Sequence, residues 1–291
     1  MRETIEIRLS TDKAKHFLPP DVGDDWDITR RLELDIADPL VEVIRKHELE
    51  EHRQGTTMVT FWQVRRRYSQ HELQSAELLW MRVRPFFEPT GEECGTLYDE
   101  SRACASCGAG ARQSSELRLD LKRIPKGRDI AQTLGGEFVV SSRLAEALRT
   151  HGITGMELWP VLGKQGERSK AWHQLVIPSC TLEVVAPTRV GNSFFVPEPD
   201  TARCPKGHVL GLRILSEVYV SRASLDGNDW ARTRQHVGLR QGLFRPQSLM
   251  LISQRLYRLL LEMKVRRFDI EIARLGSLAT AQAATPRIPE L

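Results

Sequence analysis

The sequence predicts an α+β protein, with an N-terminal α/β lobe followed by two pseudo-symmetric strand–helix–strand modules. Three observations carry that prediction. Short alternating, β-prone segments outnumber the stretches of helical period. The second two-thirds of the chain matches itself at a nearly constant offset. Each matching stretch also opens on a cysteine-bearing turn.

Composition sets the frame. The 291 residues are 41% hydrophobic and 27% charged, which is ordinary for a globular chain and excludes disorder, collagen and coiled coil. The longest apolar runs, 76–81 and 248–252, fall far short of the roughly 20 residues a bilayer requires, so no membrane span is expected. Lys+Arg 42 against Asp+Glu 38 leaves a net charge of +4, small for a dedicated nucleic-acid domain. Met1-Arg-Glu-Thr-Ile-Glu-Ile-Arg8 carries charges where an export signal is apolar, so the expected compartment is the cytosol. There the five cysteines are expected as free thiols or metal ligands rather than disulfides.

The lobe is expected over residues 1–92. Thr4–Leu9 alternates as a strand. Asp38–Arg53 reads as a helix with Asp38 at the N-cap, Pro39 at N1, and Leu40, Val43 and Ile44 facing inward. Thr57–Arg67 and Leu78–Phe87 read as strands around a short helix starting near Ser69.

The repeats follow, at about 104–161 and 204–273 within a domain over 93–275. At an offset of 100, Cys104 falls on Cys204, Gly127 on Gly227, Asp129 on Asp229 and Ala131 on Ala231. At an offset of 112, Val140-Ser-Ser-Arg-Leu144 falls on Ile252-Ser-Gln-Arg-Leu256, and Met156-Glu-Leu158 on Phe268-Asp-Ile270. In each copy an alternating strand (Leu117–Leu121, Val218–Val220) precedes a strand ending at a serine, Ser141 or Ser253, suited to cap the next helix. Leu144, Ala147 and Leu148, or Leu256, Leu259 and Leu260, then form one apolar face, and Gly152 suits the end of the first helix. A closing strand completes each copy, Met156–Val161 and Phe268–Ile272. Gly163–Ser169 reads as a linker between the copies, 178–203 as an irregular proline-bearing connection, and 276–291 as a flexible tail.

Cys104-Ala-Ser-Cys107-Gly108 has the spacing of a zinc knuckle: two thiolates on a tight turn, with a glycine where the turn needs positive φ. Cys204-Pro-Lys-Gly207-His208 holds the same place in the second copy as CxxxH, and an imidazole reaches farther than a thiolate. The expectation is one structural Zn2+ in a zinc-ribbon-like Cys3His site of Cys104, Cys107, Cys204 and His208, joining the modules. The alternatives for the first pair are ordinary thiols or a redox CxxC. Gly108-Ala-Gly110 opposes the helix a redox pair opens. Cys94 reads as a lone thiol or a substitute ligand, and Cys180 as core.

Catalytic signatures are missing. His47-Glu48-Leu-Glu-Glu-His52 puts its histidines five apart, off one helical face, and reads as a solvated helix surface. No GxxxxGK[ST], GxSxG or strand-linked GxGxxG occurs. Asp129 and Asp229 read as turn or cap residues. Arg65-Arg-Arg67 beside Phe61, Trp62 and Tyr68 is the best basic–aromatic cluster for a nucleic-acid or partner contact. On a strand, however, Arg66 faces away from Arg65 and Arg67, so a solvated strand face is the competing reading.

With those two cysteine turns and two helix-plus-strand modules, residues 94–273 resemble the double-CxxCG-motif family of myxobacterial paralogues, some of which are toxin-immunity proteins. The second motif departs from that pattern as CxxGH. The resemblance implies a non-enzymatic, zinc-stabilised protein that binds another protein, of immunity or antitoxin type, with a toxin-like partner. The alternative from the residues is a nucleic-acid-associated zinc-ribbon protein of a defence or mobile-element system.

Overall fold

A computed structural model describes residues 1–197 and 202–276, so apart from Gly276 the expected tail lies outside the described residues. Among the described residues the chain is mixed α/β, mostly strands with few helices. Among the described residues no helix is long and apolar enough to cross a membrane. The chain divides into two compact units, residues 1–73 with 191–197, and residues 74–190 with 202–276.

In the first unit β1 (Arg2–Ser10), β2 (Asp24–Trp26), β3 (Thr29–Asp35) and β4 (Val59–Arg67) form an antiparallel sheet of order β2-β3-β1-β4. The helix α1 (Pro39–Arg53) starts where the sequence places it, with Asp38 Oδ1 accepting the Leu40 N–H at 2.8 Å. Alternation in β1 sends Ile5, Ile7 and Leu9 to one face, where they pack with Leu32, Val41, Ile44, Met58 and Phe195. The inward stripe of α1 is Val41, Ile44 and Glu48, so the expected inward Val43 is exposed. Glu48 corrects the reading of a solvated helix surface. Its carboxylate is buried and accepts the N–H groups of Met58 (2.9 Å) and Val59 (3.0 Å), together with the Thr57 hydroxyl. His47 stacks on Phe17.

The second unit holds two five-stranded sheets. Its first strand in the chain, β5 (Leu78–Val83), is the middle strand of one of them. The lobe expected to run to residue 92 therefore ends at Leu73. The next elements are β6 (Leu117–Leu119), β7 (Ile130–Gln132), β8 (Phe138–Ser141), α2 (Ser142–Thr150), β9 (Glu157–Gly163) and β10 (Arg168–Val176). These strands make a sheet of order β6-β9-β10-β8-β7. The expected linker 163–169 is the turn of the β9–β10 hairpin, closed by Gly163 N–H to Glu167 O at 2.8 Å.

The other five-stranded sheet and its helix draw on β11 (Val218–Ser221), β12 (Trp230–Val237), β13 (Gln247–Ser253), α3 (Gln254–Glu262) and β14 (Phe268–Gly276). With β5 they give the order β11-β14-β5-β13-β12. In both sheets only the outer pair is parallel, β6 with β9 and β11 with β14. Ser141 and Ser253 cap their helices, each accepting an N–H three residues on at 3.1 Å. Asp129 accepts from Ser141 Oγ (2.7 Å) and Asp229 from Ser253 Oγ (2.6 Å), so each supports the capping serine, where a turn or cap residue was expected.

Candidate metal centre

Two tight turns build the centre. In the first, the Cys104 N–H donates to Ala109 O (2.8 Å) and the Gly108 N–H to Cys104 O (2.7 Å). Gly108 has φ +72°, which a side chain would strain. In the second, the Cys204 N–H donates to Val209 O (3.0 Å) and the Gly207 N–H to Cys204 O (2.9 Å), with Gly207 at φ +75°. Both turns close by the same bond, from the first cysteine to the residue five on. The second turn hangs on β12: the His236 N–H donates to His208 O at 2.7 Å, and the Leu210 N–H to His236 O at 3.0 Å.

The four expected ligands come together. One donor atom each from Cys104, Cys107, Cys204 and His208 lies within 4.8 Å of all the others. Cys104 Sγ is 3.9 Å from Cys204 Sγ, 100 residues away in the chain. His208 Nδ1 stands 3.8 Å from the Sγ atoms of both Cys107 and Cys204. A tetrahedron whose sulfurs lie about 2.3 Å from its centre has edges of about 3.8 Å. The three short separations match such edges, so the donor set could hold one metal ion. The three cysteines are 3–7% exposed and pack with Val209.

Electrostatics favour a cation there. The backbone N–H groups of Cys107 and Ser106 hold the Cys104 thiol well below the usual range. Burial pushes the Cys107 thiol up, so its ionisation calls for a positive charge at the centre. A buried Cys3His cluster of this kind can hold a metal ion, and no other cluster of three or more such groups occurs among the described residues.

The other singled-out residues fare differently. Cys94 is buried but lies outside the cluster, and burial pushes its thiol up. Cys180, expected in the core, is exposed. Arg65, Arg66 and Arg67 do not form one contact surface. Arg66 turns inward with its side chain 2% exposed and binds Glu3 at 2.7 Å, so the contact expected of it is corrected to a buried ion pair. Arg65 sits on the open sheet face and donates to Glu6 Oε2 at 2.6 Å, while Arg67 lies 3.6 Å from Glu33. Glu6, only 2% exposed on that face, also takes Arg8 and Arg31. Sequence reasoning missed this anchor; its only signal was one arginine on the glutamate's own strand and one on each neighbouring strand.

Against known proteins, the chain matches no family model, and no curated protein matches it. The fold and the site thus define a mixed α/β protein with a buried Cys3His cluster that could hold a metal ion.

Proposed function

We propose that the protein is a non-enzymatic, zinc-stapled binding protein that neutralises a toxin-like protein by direct contact, as an immunity or antitoxin partner. One observation carries the non-catalytic part. Four protein side chains bring donor atoms together, enough to fill a tetrahedral zinc site, whereas a catalytic zinc keeps a position for water or substrate. Three thiolates and an imidazole at these separations are the donor set zinc prefers. A reducing cytosol would keep these thiols available. The resemblance to the double-CxxCG-motif family supplies the toxin-binding class. The common strand order and caps of the two sheets support reading them as pseudo-symmetric modules.

The test combines elemental analysis of the purified protein with isolation of its native complex. The expected result is one zinc per chain and a stoichiometric protein partner, whose toxicity in a growth assay is abolished when the two are co-expressed. A second reading, nucleic-acid association, has one observation in its favour. Arg8 lies between Trp26 and Phe61, 4.6 and 4.8 Å from their ring centres, on the open face of the first sheet. Retention of nucleic acid alone, with log K falling steeply with log salt, would replace the first reading by the second.

A further inference from the structure

The order of strands in the second unit holds an anomaly. Each sheet is complete only with a middle strand that opens the other half of the chain. β5 opens the half running from 78 to 163 and lies between β13 and β14. β10 opens the half running from 168 to 276 and lies between β8 and β9.

Two independent ladders equate these strands. On one side, Val140 pairs with His173, and Ile252, its counterpart in the repeat, pairs with Leu79. That places His173 on Leu79. On the other side, Leu158 pairs with Leu175, and its counterpart Ile270 pairs with Met81, which again places His173 on Leu79. The outer strands agree. Val161 pairs with Leu117 and Ala273 with Val218, while Val140 pairs with Ile130 and Ile252 with Trp230.

We infer that the second unit is a tandem duplication whose two copies have exchanged their first strands, so each half of the chain is the other's obligatory partner. The inference rests on the two-module reading, not on the toxin-binding one. Further contacts cross in the same reciprocal way. Arg143, held by Asp129, donates to Met263 O at the end of α3 (3.1 Å). Arg255, held by Asp229, donates to Gly152 O just beyond α2 (3.0 Å). The metal ligands divide likewise, Cys104 and Cys107 from one half, Cys204 and His208 from the other. Removing either half would strip the other of the centre of its sheet, two ligands and a helix cap.

The exposed turn at 164–166, where Gly166 has open space around it, allows a test on the full chain. A protease recognition sequence is inserted there, the folded protein is nicked, and the product is run on size exclusion with and without a zinc chelator. Strand exchange predicts a single peak containing both pieces in both buffers. Separation of the pieces once the metal is removed would overturn it, because neither the exchanged strands nor residues 191–197, packed in the first unit, would then be holding them. Should the insertion prevent folding, native-state hydrogen exchange on the unaltered chain decides. β5 amides are expected to share the protection of β13 and β14, and β10 amides that of β8 and β9. Protection that instead groups β5 with β8 and β9, apart from β13 and β14, would overturn the exchange.

Discussion

The two turns of the candidate metal centre solve one geometric problem in opposite orders. The first places its second ligand, Cys107, before the positive-φ residue, Gly108. The second places its positive-φ residue, Gly207, before the ligand, His208. Each turn needs one residue of either kind at these two positions, and the longer imidazole lets the order reverse. The helix ends repeat the lesson. After α2 the chain takes positive φ at Gly152 (+58°) and Gly155 (+78°). After α3 the corresponding positions are Lys264 (+55°) and Arg267 (+71°). The backbone shape is common to both helix ends, while after α3 it is imposed on side chains that disfavour it.

The largest expected effects test whether the two turns carry equal weight. Cys107→Ser and Cys204→Ser should each abolish stoichiometric metal and lower the melting temperature together. The loss should stay well below the roughly 10–16 kcal/mol that structural zinc is worth in zinc-finger peptides, because the shared strands hold the two halves together without the ion. Metal retained in one variant and lost in the other would break the equivalence.

Next come the paired turns after the helices. A Cβ at Gly155 would stand 2.1 Å from Trp230 O, so Gly155→Ala should cost about 2–4 kcal/mol in chemical denaturation. Arg267→Gly should instead be neutral or stabilising by up to about 1 kcal/mol, because it relieves left-handed strain.

Asp129 gives a pH-dependent comparison. Burial pushes its carboxyl up, but hydrogen bonds from Arg143 and Ser141 outweigh that and hold it below the usual range. Its contribution is complete above the unfolded carboxylate value of about 4 and is lost as pH falls through the lower folded value. Asp129→Asn should therefore cost about 1–2 kcal/mol at pH 7, with a gap to the parent protein that narrows in melts below pH about 4. The smallest effect is expected of the double change Gly207→Cys with His208→Gly, which rewrites the second turn in the order of the first. Metal content should be unchanged, stability should shift by about 1 kcal/mol or less, and a cobalt-substituted sample should show stronger thiolate charge-transfer absorption.

The four candidate ligands were legible because tight metal turns are local: cysteine spacing and glycine placement write them into five residues. The helix caps at Asp38, Ser141 and Ser253 were legible for the same reason. The partnership of β5 was not. Leu78–Val83 reads as a strand, but nothing within it says that its neighbours lie beyond residue 246. The fate of the arginines was half legible: alternation separated Arg66 from Arg65 and Arg67, whereas Glu3 and Glu6 as their partners depend on register with a distant strand. Val43 went astray because two overlapping apolar stripes fit the helix, and Glu48 decides between them.

The place of β5 also bears on how the protein is made. Leu-Leu-Trp-Met-Arg-Val, with five of its six residues buried in the finished sheet, leaves the ribosome well before either flanking strand exists. At ordinary elongation rates roughly 160 further residues, about 8–30 s of synthesis, must follow before β13 appears. Throughout that interval a sticky, β-prone hexapeptide waits uncovered on the nascent chain. Yield in cells should therefore depend on chaperone supply and translation speed more than the stability of the finished fold would suggest.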